Sequence, residues 1–275
     1  SNIMTLEQFQ GPFTNPFPIS NFGNIQDLSE TFDAVTYRMV LDYSFNDDVM
    51  LYASYATGFV AGGFSETCGS DFSCAPYDSE ENQNFEVGMK SDLFDGAVRL
   101  NLAAFHTTYE NLQRDTVVTF IDAAGNTFQE TVAVNEGEST AMGFEAELQW
   151  AVSDNLRIDG NFGWLDHEYD DYTPGINPTD LGLPAGPPIE ADLSILEVPF
   201  SPELNYNLSA TYFQDLRSGA TLTYNLSVNY QDEAQTSPFP ANAQGADANG
   251  NLILRQKGNT QMEERTLVNG YITYT

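Results

Sequence analysis

The chain has 275 residues, enough to bury a sizeable core, and its 40 acidic against 9 basic side chains give a formal net charge of −31. This balance argues against nucleic-acid binding, because phosphate groups need clustered Lys and Arg. The 14 Tyr, 19 Phe and 2 Trp exclude a disordered acidic tail. No apolar run is long enough for a membrane-spanning helix. Residues 1–5 carry no signal-peptide pattern, so a signal peptide is absent, already removed or outside this sequence.

Residues 1–31 lack a clear period and are predicted to be a loop or the end of a truncated strand. Apolar and polar residues then alternate from Val35 to Phe45, which indicates a strand with two unlike faces. Residues 46–48, Asn-Asp-Asp, predict a tight turn, and the return arm runs from Val49 towards Gly58.

Cys68 and Cys74 are the only cysteines, and both lie in the long segment 64–82 that follows this arm. Their spacing and loop context favour a disulfide over two free thiols, and a disulfide fits an oxidising, extracytoplasmic setting. A metal-binding CxxC spacing is missing.

The next arms surround the turn dipeptide Asp95-Gly96. Phe85, Val87 and Met89 alternate before it, and the arm after it starts at Val98. The alternation blurs near residues 103–104, which predicts a bulge there.

Two further arms are predicted to meet at a shorter loop, residues 122–127, and the second of them descends to Trp150. Residues 153–154 turn the chain into an arm that reaches Trp164. A long segment rich in Pro and Asp follows, residues 170–202.

The clearest pattern is the hairpin from Leu204 to Tyr230, whose arms turn at residues 215–219. Each arm has roughly eleven residues, and at about 3.3 Å per residue and a tilt near 45° it crosses about 25 Å, the height of the apolar band of a membrane barrel. A long hairpin in a secreted β-sandwich also alternates, although soluble strands usually have about five or six residues. Another polar loop, residues 231–262, precedes a last strand that ends near Tyr274.

The connections alternate in length. Tight turns near residues 47, 95, 153 and 217 are separated by the long segments, as in outer-membrane barrels with short periplasmic turns and long outer loops. Aromatic residues are placed near both predicted interfaces of the apolar face: Phe45, Trp150 and Tyr212 before tight turns, and Tyr55, Trp164 and Tyr230 towards long loops.

These observations predict an all-β fold, a transmembrane antiparallel β-barrel in the bacterial outer membrane. About nine long strands are expected, and because single-chain barrels have even strand numbers, residues 1–275 are predicted to be part of a larger barrel. The opposite face mixes both charge signs and is expected to line a wet or plugged lumen, because charges in a dry core are costly. Its charged members are Arg38, Glu86, Lys90, Arg99, Glu145, Glu147, Arg157 and Asp159.

Catalytic chemistry finds little support in the sequence. His106 lies in a predicted strand and His167 in an acidic stretch, and neither accompanies a nucleophile motif. The carboxylates at 166–171 are predicted to form a solvated rim, with a calcium site as the alternative. We expect no enzymatic activity, no cofactor and no resident metal.

Several motifs resemble those of TonB-dependent outer-membrane receptors. Residues 55–64, YATGFVAGGF, are similar to the family's Y-x-x-G-F-x-x-G-G-F box, and residues 84–90, NFEVGMK, to N-Y-E-x-G-x-K. Residues 135–138, 143–147 and 201–208 match further family segments in the right order. The three glycines of the first box would let the strand bend at the rim.

The resemblance implies a 22-stranded barrel with an N-terminal plug that imports ferric siderophores or other large nutrients with energy passed through TonB. The plug, the TonB box and the remaining strands are not recognisable in this sequence, so the resemblance covers only the later-middle part of the barrel. It implies three partners: TonB, outer-membrane lipid and a ferric siderophore or other small ligand. The alternatives are a passive porin or adhesin barrel and a secreted soluble β-protein that binds glycans or calcium. The residues expected to contact substrate are Phe64, Tyr77, Asn135, Glu138 and Tyr169.

Overall fold

The computed structural model describes residues 29–66, 73–121, 127–176, 189–190, 192–237 and 260–275. Its regular secondary structure is β throughout these ranges, and residues 29–37 precede the first strand. Within the ranges described, no helix has the length and hydropathy needed to cross a membrane.

Nine strands form one antiparallel sheet in the described part of the chain, and each strand pairs with its neighbours in sequence. The sheet is open, with the first and last strands at its edges. The predicted number of strands is therefore confirmed. The strands are β1 (Arg38–Ser44), β2 (Val49–Val60), β3 (Glu80–Leu93), β4 (Val98–Glu110), β5 (Glu138–Ser153), β6 (Leu156–Asp171), β7 (Leu204–Asp215), β8 (Thr221–Gln231) and β9 (Arg265–Tyr274).

Short turns join the strands at one end of the sheet, where they were predicted. Asp95 and Gly96 both have positive φ, 56° and 82°, and the Ala97 N–H donates to the Phe94 carbonyl, as in a type I′ hairpin turn. Between β7 and β8 the turn differs: the Gly219 N–H donates to the Leu216 carbonyl at 2.9 Å, and Gly219, with φ 86°, follows the turn as in a hairpin with a G1 bulge. All four long connections leave from the opposite end, which we call the rim.

One face of the sheet is a continuous apolar surface. The register places apolar residues directly opposite one another, as in Leu41↔Ala53, Leu208↔Val228 and Val228↔Val268. Large side chains of this face are exposed, because nothing in the described residues covers them: Leu41 is 73% and Leu226 57% accessible. A soluble sandwich would bury this face against a second sheet, whereas a membrane barrel turns it towards lipid.

The other face is polar and more crowded, as expected for the inside of a barrel wall. Small residues on it, including Ser54, Thr107 and Ala141, are buried between larger neighbours. All eight charged residues predicted for the lumen lie on this inner face. The strand register pairs each of them with an inner-face residue of a neighbouring strand, and paired residues point to the same side of a sheet.

Two expectations within the sheet are wrong. The pairing of β3 with β4 is continuous through residues 103–104, so no bulge occurs there, and the small alanines explain the blurred alternation. The second arm lies in the barrel sheet from Glu138 to Ser153, but the parts of the two arms next to residues 122–127 do not belong to that sheet. They form a separate two-stranded hairpin, Gln113–Ile121 with Thr127–Asn135, which we call the rim hairpin.

The remaining strands are pairs of two residues within the long connections, Gly63–Phe64 with Pro76–Tyr77, Gly175–Ile176 with Ile189–Glu190, and Ala234–Gln235 with Gln261–Met262. The first pair requires a glycine beside it. A Cβ atom on Gly62 would lie 2.2 Å from the Tyr77 carbonyl oxygen, so only glycine allows this close approach.

Candidate functional site

The rim hairpin starts and ends with residues that allow a sharp change of direction. Asn111 and Gly137 have positive φ, 56° and 96°, and both separate the hairpin from the barrel strands. The Leu112 N–H donates to the Gly137 carbonyl at 3.1 Å, and the Glu136 N–H donates to the Leu112 carbonyl at 2.9 Å. These two bonds close the base of the hairpin, so the connection between β4 and β5 is a folded element.

Side-chain amides fasten the hairpin to the first long connection. The Asn135 oxygen accepts a hydrogen bond from the Asp78 N–H at 2.6 Å, and its Nδ2 donates to the carbonyls of Asp78 and Asn111 at 2.9 and 3.0 Å. The Gln113 Nε2 lies 3.0 Å from the carbonyl oxygens of both Ala61 and Asp78. Because these bonds satisfy backbone groups that β pairing leaves free, they fix the hairpin relative to β2 and β3.

The other side of the hairpin is held by an arginine between two tyrosines. The Arg114 guanidinium lies 4.8 Å from the ring centres of both Tyr169 and Tyr172, and its Nη2 donates to the Tyr169 hydroxyl. The two rings stack with their centres 4.7 Å apart. Cation–π contacts contribute about 0.5–2 kcal/mol each, more when they are shielded from water, as here.

Burial is nearly complete around this arginine. Tyr172 is 2%, Val132 1% and Leu193 0% accessible. Burial raises the pKa of Tyr172 to about 12, although the Arg114 guanidinium acts in the opposite direction. We call this packed region, comprising the rim hairpin, Tyr169–Tyr172 and Leu193–Val198, the rim unit.

The rim unit is continuous with the last long connection. Phe200 has a positive φ of 59°, a strained conformation for an aromatic residue, and its N–H donates to the Gln235 carbonyl at 2.8 Å. Gln235 and its neighbour Ala234 are buried. The Phe200 side chain remains 66% accessible, so an apolar group is displayed at the rim by a backbone that is fixed.

His167 lies on the inner face of β6 just below the rim unit. Its Nδ1 is 3.0 Å from the Ser201 hydroxyl and its Nε2 3.3 Å from the Ser139 hydroxyl. Both ring nitrogens therefore face hydroxyl groups, and no carboxylate among the described contacts bonds the imidazole as in a catalytic triad. His106 lies on the outer apolar face, opposite Phe85 and Met142.

Further down, the inner face carries paired charges. Arg99 is 2.7 Å from Asp92, and Arg157 is 2.6 Å from Asp159. Such pairs keep a wet wall close to neutral without burying an uncompensated charge.

The predicted substrate-contact residues are separated into two groups by the structure. The Asn135 amide is hydrogen-bonded and the Tyr169 ring is stacked within the rim unit. Phe64, Tyr77 and Glu138 remain partly or fully accessible to solvent. Whether any of the five contacts substrate stays a prediction. Sequence reasoning missed Arg114 and Tyr172, and only the hairpin's alternating pattern could have indicated that Arg114 and Val132 share a face.

The two remaining sequence predictions concern cysteines and carboxylates. Cys74 is disulfide-bonded, and Cys68 lies outside the described residues, so their pairing stays a prediction. In the described ranges, no three His, Cys, Asp or Glu side chains are placed to hold a metal ion. Asp170 instead accepts a hydrogen bond from the Thr140 hydroxyl at 2.6 Å.

Long antiparallel strands, an apolar outer face, a charged inner face and long connections at one end define part of the wall of an outer-membrane β-barrel. The family model described as "TonB dependent receptor-like, beta-barrel" matches residues 7–275, and the chain belongs to this family of transport receptors.

A curated relative and two solved structures show what the chain resembles. It is 31% identical over 150 residues to the metal-pseudopaline receptor CntO of Pseudomonas aeruginosa, a match that spans 54% of this chain and 19% of that protein. The ferric yersiniabactin uptake receptor FyuA of Yersinia pestis superposes with a TM-score of 0.57 at 19% identity, over 86% of this chain and 29% of FyuA. The ferric preacinetobactin receptor BauA of Acinetobacter baumannii gives 0.56 at 19% identity, over 91% of this chain and 31% of BauA. The two superpositions show a shared fold.

Proposed function

We propose that the chain forms part of the barrel of an outer-membrane receptor in a Gram-negative bacterium, which imports a scarce nutrient with energy passed through TonB. The nutrient class that we propose is the ferric siderophores. The whole receptor performs the transport, and this chain supplies one part of its wall and four of its long connections. The relative CntO, named as a metal-pseudopaline receptor, supports a metal chelate as the cargo.

The observation that carries the proposal is the folded rim. A passive pore needs only a wide lumen, whereas a receptor needs long connections whose positions are fixed before the ligand arrives. The Asn135 amide and the Arg114–Tyr169–Tyr172 stack fix these connections to one another. The accessible side chains that we propose as substrate contacts are Phe64, Tyr77 and Glu138.

Asn135 and Tyr169 are proposed to act differently from these three. Their polar and aromatic groups are occupied by the chain itself, so their contribution to substrate binding is to hold the rim in place. The apolar outer face contacts lipid, and transport rather than catalysis is the proposed activity.

The experiment uses the full-length receptor in the outer membrane of a host that lacks its own siderophore receptors. Uptake of iron-55 chelates is measured in cells with and without TonB, together with binding to the cell surface. We expect surface binding in both strains and accumulation only in the strain with TonB. Equal accumulation without TonB would instead identify a passive pore.

A further inference from the structure

The inner face of the sheet changes character along the sequence. On β3 to β6 it carries both carboxylates and basic groups, among them Glu86, Lys90 and Glu147. On β7 and β8 the same face carries amides and hydroxyls over nearly the full height of the wall. We call these residues the amide stripe: Asn205, Asn207, Ser209, Thr211, Thr223, Asn225, Ser227, Asn229 and Gln231.

The residues of the stripe bond to one another across the two strands. The Asn207 Nδ2 donates to the Asn229 oxygen at 2.6 Å, and the Asn225 Nδ2 lies 2.9 Å from the hydroxyls of both Ser209 and Thr211. Each of Asn207 and Asn229 keeps one amide atom that no described residue bonds. The stripe therefore offers both donors and acceptors to a molecule in the lumen.

A recess of about 290 Å³ lies at the rim end of the stripe. At about 30 Å³ for each water molecule, it holds about ten waters or one arm of a larger solute. Its lining consists of Asn161, Asn205, Tyr206, Asn207, Asn229, Tyr230, Gln231, Arg265 and Leu267. The Arg265 Nη2 lies 3.3 Å from the Gln231 oxygen, so one of the guanidinium donors is used within the wall.

Neutral and charged walls treat a moving solute differently. A charged solute that pairs with a wall carboxylate or guanidinium must break a charge-assisted bond to move on, and such bonds are about twice as strong as neutral ones. Amides and hydroxyls exchange bonds of similar strength with water and with neutral solute groups. A neutral hydrogen-bonding solute can therefore pass along the stripe without being bound tightly at any one position.

We propose that the recess binds a neutral hydrogen-bonding arm of the imported solute, and that the amide stripe is the wall along which this solute passes through the lumen. The inference rests on the proposed receptor function and narrows its substrate class to chelates whose surface carries amide, hydroxamate or hydroxyl groups rather than net negative charge. In the described parts of the long connections, Arg114 is the single basic residue and it is buried between tyrosines; Arg255 and Lys257 of the last connection lie outside the described residues.

The test places a carboxylate in the stripe of the full-length receptor. Asn207→Asp and Asn229→Asp keep the side-chain shape and add a charge, and Gln149→Glu makes the matched change on the charged wall. The two probes are a neutral ferric tris-hydroxamate and a trianionic ferric tris-catecholate. Initial uptake rates are measured with surface binding, and heat-dependent gel mobility reports whether each barrel has assembled.

We expect the wild-type receptor to prefer the neutral chelate. Asn207→Asp and Asn229→Asp should each slow its uptake about tenfold, because the hydrogen bonds of a carboxylate are charge-assisted and about twice as strong as the neutral ones they replace. Gln149→Glu should remain within about twofold of the wild type, as for a surface change. Wild-type preference for the trianionic chelate, or equal uptake by all variants, would overturn the inference while the receptor function stands. If the wild-type receptor took up neither chelate, both the inference and the proposed receptor function would be overturned.

If an Asp variant fails to assemble, Asn207→Ser and Asn229→Ser replace it. They keep a neutral polar group and are expected to retain uptake within about threefold, since each loses one neutral hydrogen bond at a wet surface. A loss from the Ser variants as large as that expected from a carboxylate would show that shape, not charge, controls uptake, and would also overturn the inference.

Discussion

The strands of the barrel sheet and the rim unit bury opposite kinds of side chain. In the sheet, large apolar residues such as Leu208 and Leu226 are exposed while small polar residues such as Ser54 are covered. In the rim unit, Leu193 and Tyr172 are buried as in a water-soluble protein. The difference shows that one chain combines a sheet whose apolar face is suited to lipid with a small apolar core of the kind found in water-soluble proteins. The two are joined at the strand ends.

The largest effect is expected from a charge placed on the outer face. Leu208→Arg puts a guanidinium near the middle of the apolar band, at a cost of about 4 kcal/mol. We expect the variant barrel to assemble poorly, which is measured by heat-dependent gel mobility of the membrane fraction.

The neighbouring substitution Ser209→Arg is the matched control, because it places the same charge on the wet inner face. It should assemble normally and lose only the hydrogen bond from Asn225, about 1 kcal/mol. Equal loss of both variants would mean that the two faces do not differ in solvent, contrary to the barrel assignment.

A cavity in the rim unit should have the next largest effect. Leu193 is fully buried, so Leu193→Ala is expected to destabilise the rim unit by about 3 kcal/mol through lost contacts and the cavity left behind. Hydrogen exchange of the rim amides, including the Leu193 N–H that donates to the Tyr172 carbonyl, measures the change.

Ile195, two residues further on, provides the control for this cavity. It is 70% accessible, and Ile195→Ala should change the free energy of rim opening, measured by hydrogen exchange, by no more than about 0.5 kcal/mol. If both variants opened the rim equally, Leu193 would not belong to a packed core.

The smallest effect is a pH dependence confined to the rim unit. Because burial raises the pKa of Tyr172 from 10.0 to about 12, the neutral phenol is favoured in the folded rim. Its stabilising contribution is complete below pH 10 and is lost as pH rises from 10 through 12. The loss is on the order of 2 kcal/mol and should appear as faster rim exchange over that range.

Tyr172→Phe separates this titration from general alkaline damage. It keeps the aromatic ring stacked on Tyr169 but has no phenol to ionise, so the rim of this variant should lose less stability than the wild type between pH 10 and 12. Identical alkaline profiles for the variant and the wild type would assign the opening to another group.

Local patterns predicted the barrel sheet well, because each of its features depends on neighbours in sequence. The alternation around Leu208, the Asp95-Gly96 turn and the long strand lengths all follow from backbone geometry and from the need to satisfy every backbone group inside a membrane. The same reasoning predicted the inner charges, since a period of two assigns every second side chain to one face.

The rim could not be predicted in the same way. Residues 113–135 alternate as a barrel strand does, and only pairing partners show that they form a separate hairpin. The contact between Arg114 and Tyr169 joins residues 55 positions apart, and the bond of Asn135 to Asp78 joins residues 57 apart. Such contacts depend on how the long connections fold back over the strand ends.

The sequence by itself therefore determined a lipid-facing sheet with a wet inner face, because a two-residue period and turn chemistry are local properties. Only the tertiary structure decided which polar residues meet across strands, as in the amide stripe, and which aromatic residues enclose Arg114. The physical reason is that the free energy of these contacts comes from burial and hydrogen bonding between segments that are distant in the chain, which no local pattern records.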